Sequence, residues 1–484
     1  MHERLATFGV FLAALLILGW RASIPGIATG YVDPVAKIQA QDEAVYGSTA
    51  FTMATEGGWL TPRLLGRYAL YKPPLLYWLN GMSARVLGRT AMALRLPSIF
   101  AGAATVALVF EWAGLPAAVL LTSCHLFFML SRLGLMDALL TFEIVAAMFI
   151  LSRDGGLRSQ GALWSFGFTC GAAIMTKGIA GALPLLVLTF IAPARLPHVI
   201  GIAALLAAPW HMYQLVVHPR WFWAEYFRTE IFSWGLASPE QTTNEGHLGF
   251  YAKRLLLLDP VLPLAAAVAV FKWRPKLPLV WLLVVFVSVI AFQYRNAAYL
   301  LPAYAAMAIL AAGAIPQRAR ALALASAVTL FGIKVAAPKQ PWGLPFAPEY
   351  VNPAHTALDA YAALHRANDL ILVEPTDQFY SACLPLARVR YLYVDPRPTH
   401  PKLPLDFEYL GIVMSAADFN ELSKVRPIFE ERLREFNLPS GDPIGTTILA
   451  RSNEEAAEVI RQHPEADYFR AGEFTLANSG YRAK

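Results

Sequence analysis

Charged residues are scarce in this chain, and their scarcity excludes an ordinary soluble protein. Only 15% of the 484 residues are Asp, Glu, Lys or Arg, whereas soluble domains carry about 25%. Hydrophobic residues make up 56% of the chain, and the mean hydropathy is +0.45. Three cysteines, Cys124, Cys170 and Cys383, are too few to build a disulfide framework. The composition therefore predicts a polytopic membrane protein.

The charges that are present divide the chain into two parts. Residues 341–484 contain 20 acidic and 14 basic residues, which leaves 14 acidic and 26 basic residues in 1–340. This contrast predicts a membrane domain over 1–340 and a soluble domain over 341–484. The basic excess suits anionic membrane lipids. Because no nucleic-acid-binding motif accompanies it, we expect no nucleic-acid partner.

Apolar runs of roughly membrane-spanning length predict about eleven transmembrane helices. They fall near 5–23, 92–110, 113–131, 138–152, 162–176, 179–193, 198–216, 254–271, 277–293, 299–315 and 320–336. The short connections Arg153–Arg158, Arg195–His198, Lys272–Lys276 and Gln317–Arg320 are basic, and positive loops remain in the cytoplasm. This orientation places the polar loop 24–91 and the acidic tail on the outer face.

The tail alternates short apolar runs with segments of helical pattern, which predicts a small α/β domain. The expected strands are Ile371–Val373, Val389–Val394, Tyr409–Met414 and Thr446–Ala450, and the expected helices are 354–367, 416–436 and 453–463. Since the tail has no glycine-rich phosphate loop and no metal-ligand spacing, we interpret it as an accessory domain.

The aromatic segment 217–236 has two interpretations. An interfacial helix in the headgroup region is the plainer one, and a wall of a substrate cavity is the other.

Ionisable residues at membrane depth are costly and usually functional. Asp42, Lys72, Asp137, Lys177 and Arg295 all fall at predicted helix mouths on the outer face. Taken singly, each acid suits a helix cap and each cation an interface anchor. Their coincidence on one face favours a common site.

Sugar transfer from a polyprenyl phosphate explains this set of residues. The leaving phosphate needs cations, which Lys72 as a point charge and Arg295 as a planar fork would supply. The acceptor hydroxyl must lose a proton, and Asp42 is a carboxylate that can take it.

The chain also resembles a known superfamily over about residues 40–305. It is similar to the GT-C glycosyltransferases of the aminoarabinose transferase and protein O-mannosyltransferase superfamily, glycosyltransferase family 39. The similar stretches, in the superfamily's order, are 42–46, 58–66, 72–79, 95–98, 136–141, 176–178 and 299–302.

The resemblance implies the GT-C fold and an inverting transferase with a polyprenyl-phosphate sugar donor. It assigns catalysis to Asp42 and Asp137 and the phosphate contact to Lys72. We further expect substrate contacts from the remaining site residues, which are Glu43, Lys177, Arg295 and Tyr299. We expect the acceptor to be a glycan, a lipid or a protein, and the location to be the inner membrane of a bacterium.

Two departures from the superfamily pattern concern contacts to sugar, acceptor or metal. Tyr71 stands where Glu often precedes the Lys-Pro-Pro motif, and the expected His and Arg do not follow Glu230. His211, His218 and His247 lack a regular ligand spacing with Glu230, so we expect no metal and no other cofactor.

One alternative function remains open. A non-catalytic carrier of polyprenyl phosphate would need the same cations but no base. The absence of an internal repeat weighs against such a transporter.

Overall fold

The structure is a computed structural model, and it describes most of the membrane part and the strands of the tail. The described residues are 2–23, 32–33, 38–39, 42–64, 67–237, 246–272, 276–336, 370–373, 391–394, 412–413, 446–450, 467–471 and 474–479. The predicted tail helices 354–367, 416–436 and 453–463 lie outside them.

Helices dominate the described part of residues 1–340. They are α1 His2–Gly19, α2 Asp42–Glu56, α3 Leu75–Leu87, α4 Ala91–Thr122, α5 His125–Leu130, α6 Met136–Arg153, α7 Gln160–Lys177, α8 Leu183–Ile191, α9 Leu196–Val217, α10 Pro219–Phe222, α11 His247–Leu258, α12 Val261–Lys272, α13 Lys276–Ala291, α14 Leu301–Ala314 and α15 Gln317–Ala336. A π-helix, Trp223–Ala237, continues α10. Short 3₁₀ turns at Gly178–Ala182, Pro193–Arg195 and Ala297–Leu300 precede α8, α9 and α14.

Four segments are long and apolar enough to cross a membrane: Ala91–Thr122, Gln160–Ile191, Pro193–Val217 and Ala297–Ala314. The bent pair α11 and α12 adds a fifth if it forms one span, and Arg4–Gly19 and Lys276–Ala291 are shorter apolar helices. The described residues thus support a multi-pass membrane protein. The count of eleven spans stays a prediction.

Three predicted spans have a different form in the structure, and backbone chemistry explains the breaks. The runs 92–110 and 113–131 become one helix, α4, with a break at Gly114 (φ 79°), followed by α5. The run 254–271 is bent by 109° between α11 and α12. Pro260 causes the bend, because it lacks a backbone N–H and disfavours helix at the residue before it.

Small residues bring α7 and α9 into close contact. A Cβ added to Gly167 would lie 2.6 Å from Ile202, and one added to Gly171 would lie 2.9 Å from the Ala203 carbonyl oxygen. Helix–helix interfaces in membranes favour this spacing of small residues. The packing fixes the end of α7, where Lys177 stands.

The strands lie in three separate sheets. Two short antiparallel pairs, β1 Val32–Asp33 with β2 Ile38–Gln39 and β3 Arg63–Leu64 with β4 Arg67–Tyr68, belong to the loop between α1 and α3. In the tail, six strands pair in the order β7-β6-β5-β8-β10-β9. They are β5 Leu370–Val373, β6 Tyr391–Val394, β7 Ile412–Val413, β8 Thr446–Ala450, β9 Asp467–Ala471 and β10 Phe474–Ser479. The first four overlap the predicted strands, and the last two were not predicted.

Candidate active site

Two lysine–carboxylate pairs form the centre of the site. The Lys72 ammonium donates to the Glu230 carboxylate. Lys177 Nζ donates to Asp137 Oδ1 at 2.6 Å and lies 5.0 Å from the ring centroid of Tyr299. Residues from the first loop, α6, α7, the π-helix and the turn before α14 therefore meet in one place.

Local backbone chemistry puts each lysine at the end of an element. Pro73 and Pro74 follow Lys72, and they keep α3 from extending back through it. Gly178 ends α7 with a φ of 54°, a conformation that favours glycine. A Cβ on Gly178 would also lie 2.8 Å from the hydroxyl of Tyr226. The turn after Lys177 thus depends on the glycine that follows it.

A cavity of about 280 Å³ opens onto these pairs. Its polar and aromatic wall contains Lys72, Asp137, Lys177, Tyr226, Glu230 and Tyr299. The rest of the wall is largely apolar and includes Leu183, Leu186, Val289, Phe292 and Pro302. A cavity with a charged end and an apolar wall suits a ligand that is itself amphipathic.

Asp42, the first residue of α2, stands next to this cavity. Burial raises the pKa of its carboxyl above the ordinary value, and the carboxylates of Asp137 and Glu230 act in the same direction. The ammonium groups of Lys177 and Lys72 oppose that rise. Asp42 is not among the lining residues, although all four of its charged neighbours are. Asp42 thus lies within electrostatic range of Lys72.

Glu43 was predicted to contact substrate, but it lies outside the cavity wall. Its side chain is buried and accepts from Arg95 at 2.9 and 3.1 Å and from the Gly134 backbone N–H at 2.8 Å. It does not line the cavity. A buried guanidinium needs a paired carboxylate, so the structure gives Glu43 a role in joining α2 to α4 and to the loop before α6.

Arg295 is also absent from the cavity wall. It is half-buried in the turn before α14, within electrostatic range of Tyr251 on α11. Lys177, rather than Arg295, is the second cation beside Lys72. The sequence placed Lys177 and Arg295 alike at helix mouths. Only the packing of α7 against its neighbours distinguishes the two residues.

The π-helix contributes cavity residues that the sequence did not assign to the site. Tyr226, Glu230, Ile231 and Gly235 all line the cavity. In a π-helix the backbone hydrogen bonds connect residues five apart, so residues at this spacing share a face. Trp223 on the same helix is exposed. The segment therefore forms part of the cavity wall, and its location in the headgroup region stays a prediction.

The described residues contain no group of three or more His, Cys, Asp and Glu that could hold a metal ion. His211 contacts the Ala207 carbonyl and the Tyr226 hydroxyl, at 2.8 and 3.0 Å. His218 Nε2 lies 3.4 Å from the Thr61 hydroxyl, and His247 contacts the Phe292 carbonyl at 3.0 Å. The three histidines thus have separate partners.

Comparison with known families finds a similarity in the first half of the chain. Residues 38–226 match the family described as dolichyl-phosphate-mannose-protein mannosyltransferase. This part of the chain is similar to that family. The matched residues include Asp42, Lys72, Asp137 and Lys177, so the similarity covers both lysines and their acidic neighbours in the first half of the chain. The resemblance noted in the sequence is confirmed.

Curated relatives are similar to this chain over part of their length. An undecaprenyl phosphate-alpha-4-amino-4-deoxy-L-arabinose arabinosyl transferase of Pectobacterium atrosepticum is 32% identical over 218 residues, 39% of this chain. The chain spans 38% of the length of that relative. A protein of the same name from Erwinia tasmaniensis is 26% identical over 349 residues, 64% of this chain and 63% of the relative.

Solved structures extend the similarity to nearly the whole chain. The crystal structure of ArnT from Cupriavidus metallidurans bound to undecaprenyl phosphate has a TM-score of 0.68 and 15% identity, over 98% of this chain and 99% of that one. The apo state of the same protein gives a TM-score of 0.67. At this identity the likeness shows the fold, and it confirms the predicted GT-C-type helical architecture.

Proposed function

We propose that this chain is an inverting membrane glycosyltransferase that moves a sugar from a polyprenyl-phosphate donor to an acceptor hydroxyl. The observation that carries the proposal is a cavity lined by Lys72 and Lys177, both of which lie within electrostatic range of Asp42. Cations at the leaving phosphate and a base at the attacking hydroxyl are the two requirements of this reaction. The family match over 38–226 supports the same reaction class.

The donor phosphate would bind at the charged end of the cavity. Lys72 and Lys177 replace the pair Lys72 and Arg295 that the sequence suggested, because Arg295 is not on the wall. The apolar wall, which includes Leu183 and Val289, would take the first isoprene units. The names of the relatives make undecaprenyl phosphate-α-4-amino-4-deoxy-L-arabinose the first donor to test.

The reaction forms one bond and breaks one bond. The acceptor oxygen attacks the anomeric carbon on the face opposite the phosphate, and its proton passes to the Asp42 carboxylate. The bond between the anomeric carbon and the phosphate oxygen breaks, and its electron pair leaves with the phosphate. A raised pKa makes Asp42 a stronger base than an ordinary Asp. Asp137 acts as a positioning residue that holds Lys177.

The remaining architecture is proposed on the same basis. We place about eleven spans in the inner membrane of a bacterium, with the cavity on the extracytoplasmic face, because the basic connections fall on the opposite side. Residues 341–484 would form a soluble α/β domain on that outer face, and their six-stranded sheet supports this.

Replacing Asp42 by Asn tests the proposal, because the amide keeps the shape of the side chain but cannot take a proton. Purified protein in proteoliposomes would receive the aminoarabinose donor and lipid A, a glycan or a protein as acceptor, with mass spectrometry of the product. We expect activity to fall by about 10²–10⁴-fold while binding of the donor persists. Asp154→Asn makes the same change in an exposed loop and should retain full activity.

Two results would contradict the proposal. Full transfer by the Asp42→Asn protein would remove Asp42 as the base. Movement of undecaprenyl phosphate across the vesicles with every acceptor left unmodified would instead identify a lipid carrier.

A further inference from the structure

Glu230 occupies the position at Lys72 where the proposed reaction needs the donor phosphate. Both residues line the cavity, and the Glu230 carboxylate accepts from the Lys72 ammonium. Lys177 is likewise paired, with Asp137. The two cavity lysines therefore each have a carboxylate partner, so an incoming phosphate has to exchange with one of them.

The exposure of the two pairs indicates which one exchanges. The side chains of Lys72 and Glu230 are 16% and 17% exposed, and those of Lys177 and Asp137 are 11% and 9% exposed. Lys177 is also held over the ring of Tyr299 at 5.0 Å. Asp137 lies in the first turn of α6, where the helix dipole stabilises its negative charge. The Lys72–Glu230 pair is thus the more accessible and the less constrained.

The π-helix contacts the first loop at a second point, so Glu230 can move away from Lys72 while the helix stays joined to that loop. Glu225, five residues earlier, accepts from the backbone N–H of Leu70. Residues five apart share a face of a π-helix, so both carboxylates meet the same strip of chain, 70–72. If Glu230 releases Lys72, Glu225 still joins the π-helix to that strip.

We propose that Glu230 is the exchangeable counter-ion of Lys72, which the lipid phosphate displaces on binding and which returns to Lys72 as the polyprenyl phosphate leaves. The inference rests on the proposed function and adds to it a residue that sets the affinity for the lipid phosphate. A carboxylate that competes for Lys72 weakens phosphate binding, because the ligand gains only the difference between the two partners. The same competition favours release of the product.

The central test is the affinity of the full-length protein for undecaprenyl phosphate in nanodiscs. Glu230→Gln keeps the size of the side chain and removes the competing charge. We expect it to bind undecaprenyl phosphate about tenfold more tightly than the wild type. In turnover, KM for the donor should fall and inhibition by added undecaprenyl phosphate should strengthen. Loss of a merely structural residue would instead weaken the binding of both lipids.

Two further variants assign the effect to the ion pair. Glu225→Gln removes a charge from the same helix while its amide oxygen can still accept from Leu70, so its affinity should stay close to that of the wild type. In a Lys72→Met background, Glu230→Gln should no longer tighten binding, because the pair it interrupts is already absent. This double-mutant comparison separates the pair from the general loss of one negative charge.

The pH profile provides an independent readout. The charged groups that act on Asp42 are Lys177, Asp137, Lys72 and Glu230, and Glu230 raises the pKa of Asp42. Removing its charge should therefore move the acidic limb of kcat/KM to lower pH.

The outcomes separate this inference from the proposed function. A wild-type protein that does not bind undecaprenyl phosphate contradicts the proposed function itself. A wild type that binds it, together with a Glu230→Gln protein that binds no more tightly, overturns the exchange alone. A tightening that persists in the Lys72→Met background also overturns it.

Discussion

Glu43 offers the sharpest test of how the fold positions the site. The structure buries Glu43 and Arg95, with 1% and 0% of each residue exposed. Arg95 Nε and Nη2 donate to the two Glu43 oxygens, and Arg95 Nη1 donates to the Ala22 carbonyl at 2.7 Å. Glu43→Ala would remove the carboxylate that pairs with this buried guanidinium.

The size of the effect follows from these contacts. Removal of one partner of a buried ion pair costs about 3–5 kcal/mol, because the remaining charge is desolvated and unpaired. The Gly134 N–H, which donates to Glu43 at 2.8 Å, loses its acceptor as well. We therefore expect Glu43→Ala to lower the free energy of unfolding by about 3–5 kcal/mol, which corresponds to a fall in Tm of about 3–5 °C for a chain of this length.

Thermal unfolding of the detergent-purified protein measures this loss. The double variant Glu43→Leu with Arg95→Leu removes both charges, and we expect its Tm to lie nearer to the wild type than that of Glu43→Ala. A Glu43→Ala protein with the wild-type Tm and a raised KM for the donor would refute the reasoning. That result would restore the substrate contact that the sequence suggested.

Two more predictions concern the site and its scaffold. Lys177→Met removes a positive charge that lowers the pKa of Asp42, so the acidic limb of kcat/KM should move to higher pH; an unchanged limb would exclude this electrostatic contact. Asp259→Ala removes the acceptor for the His125 and Leu126 backbone N–H groups, at 2.6 and 3.2 Å, and should cost about 1–2 kcal/mol in a thermal-unfolding assay. Asp259→Asn retains an acceptor and should cost less; equal losses would argue against the capping role.

The sequence was sufficient to locate the helices but not every break within them. Length and apolarity predict α6, α7, α9 and α14 closely, because membrane spans are long, uniform patterns. The bend at Pro260 was missed, because a single proline barely changes the mean hydropathy of an apolar window. Gly114 was captured only as the gap between two predicted spans.

The sequence identified most residues of the site but not which of them contact each other. Asp42, Lys72, Asp137 and Lys177 were all singled out, because ionisable residues near apolar runs are conspicuous. The pairing of Lys72 with Glu230 joins residues 158 positions apart, and no local pattern encodes it. Arg295 had the same local features as Lys177, and only the packing of helices separates the two.

The even balance of charge in the cavity bears on ligand selectivity. Among the described lining residues, two ammonium groups face two carboxylates. A small soluble anion gains little electrostatic energy from such a neutral set and loses its hydration on entry. An anion carried on an isoprenoid chain also buries hydrocarbon, worth about 0.8 kcal/mol for each CH₂. The apolar wall would therefore set the preference for membrane-borne over soluble phosphates. Each isoprene unit removed from the lipid should reduce that preference.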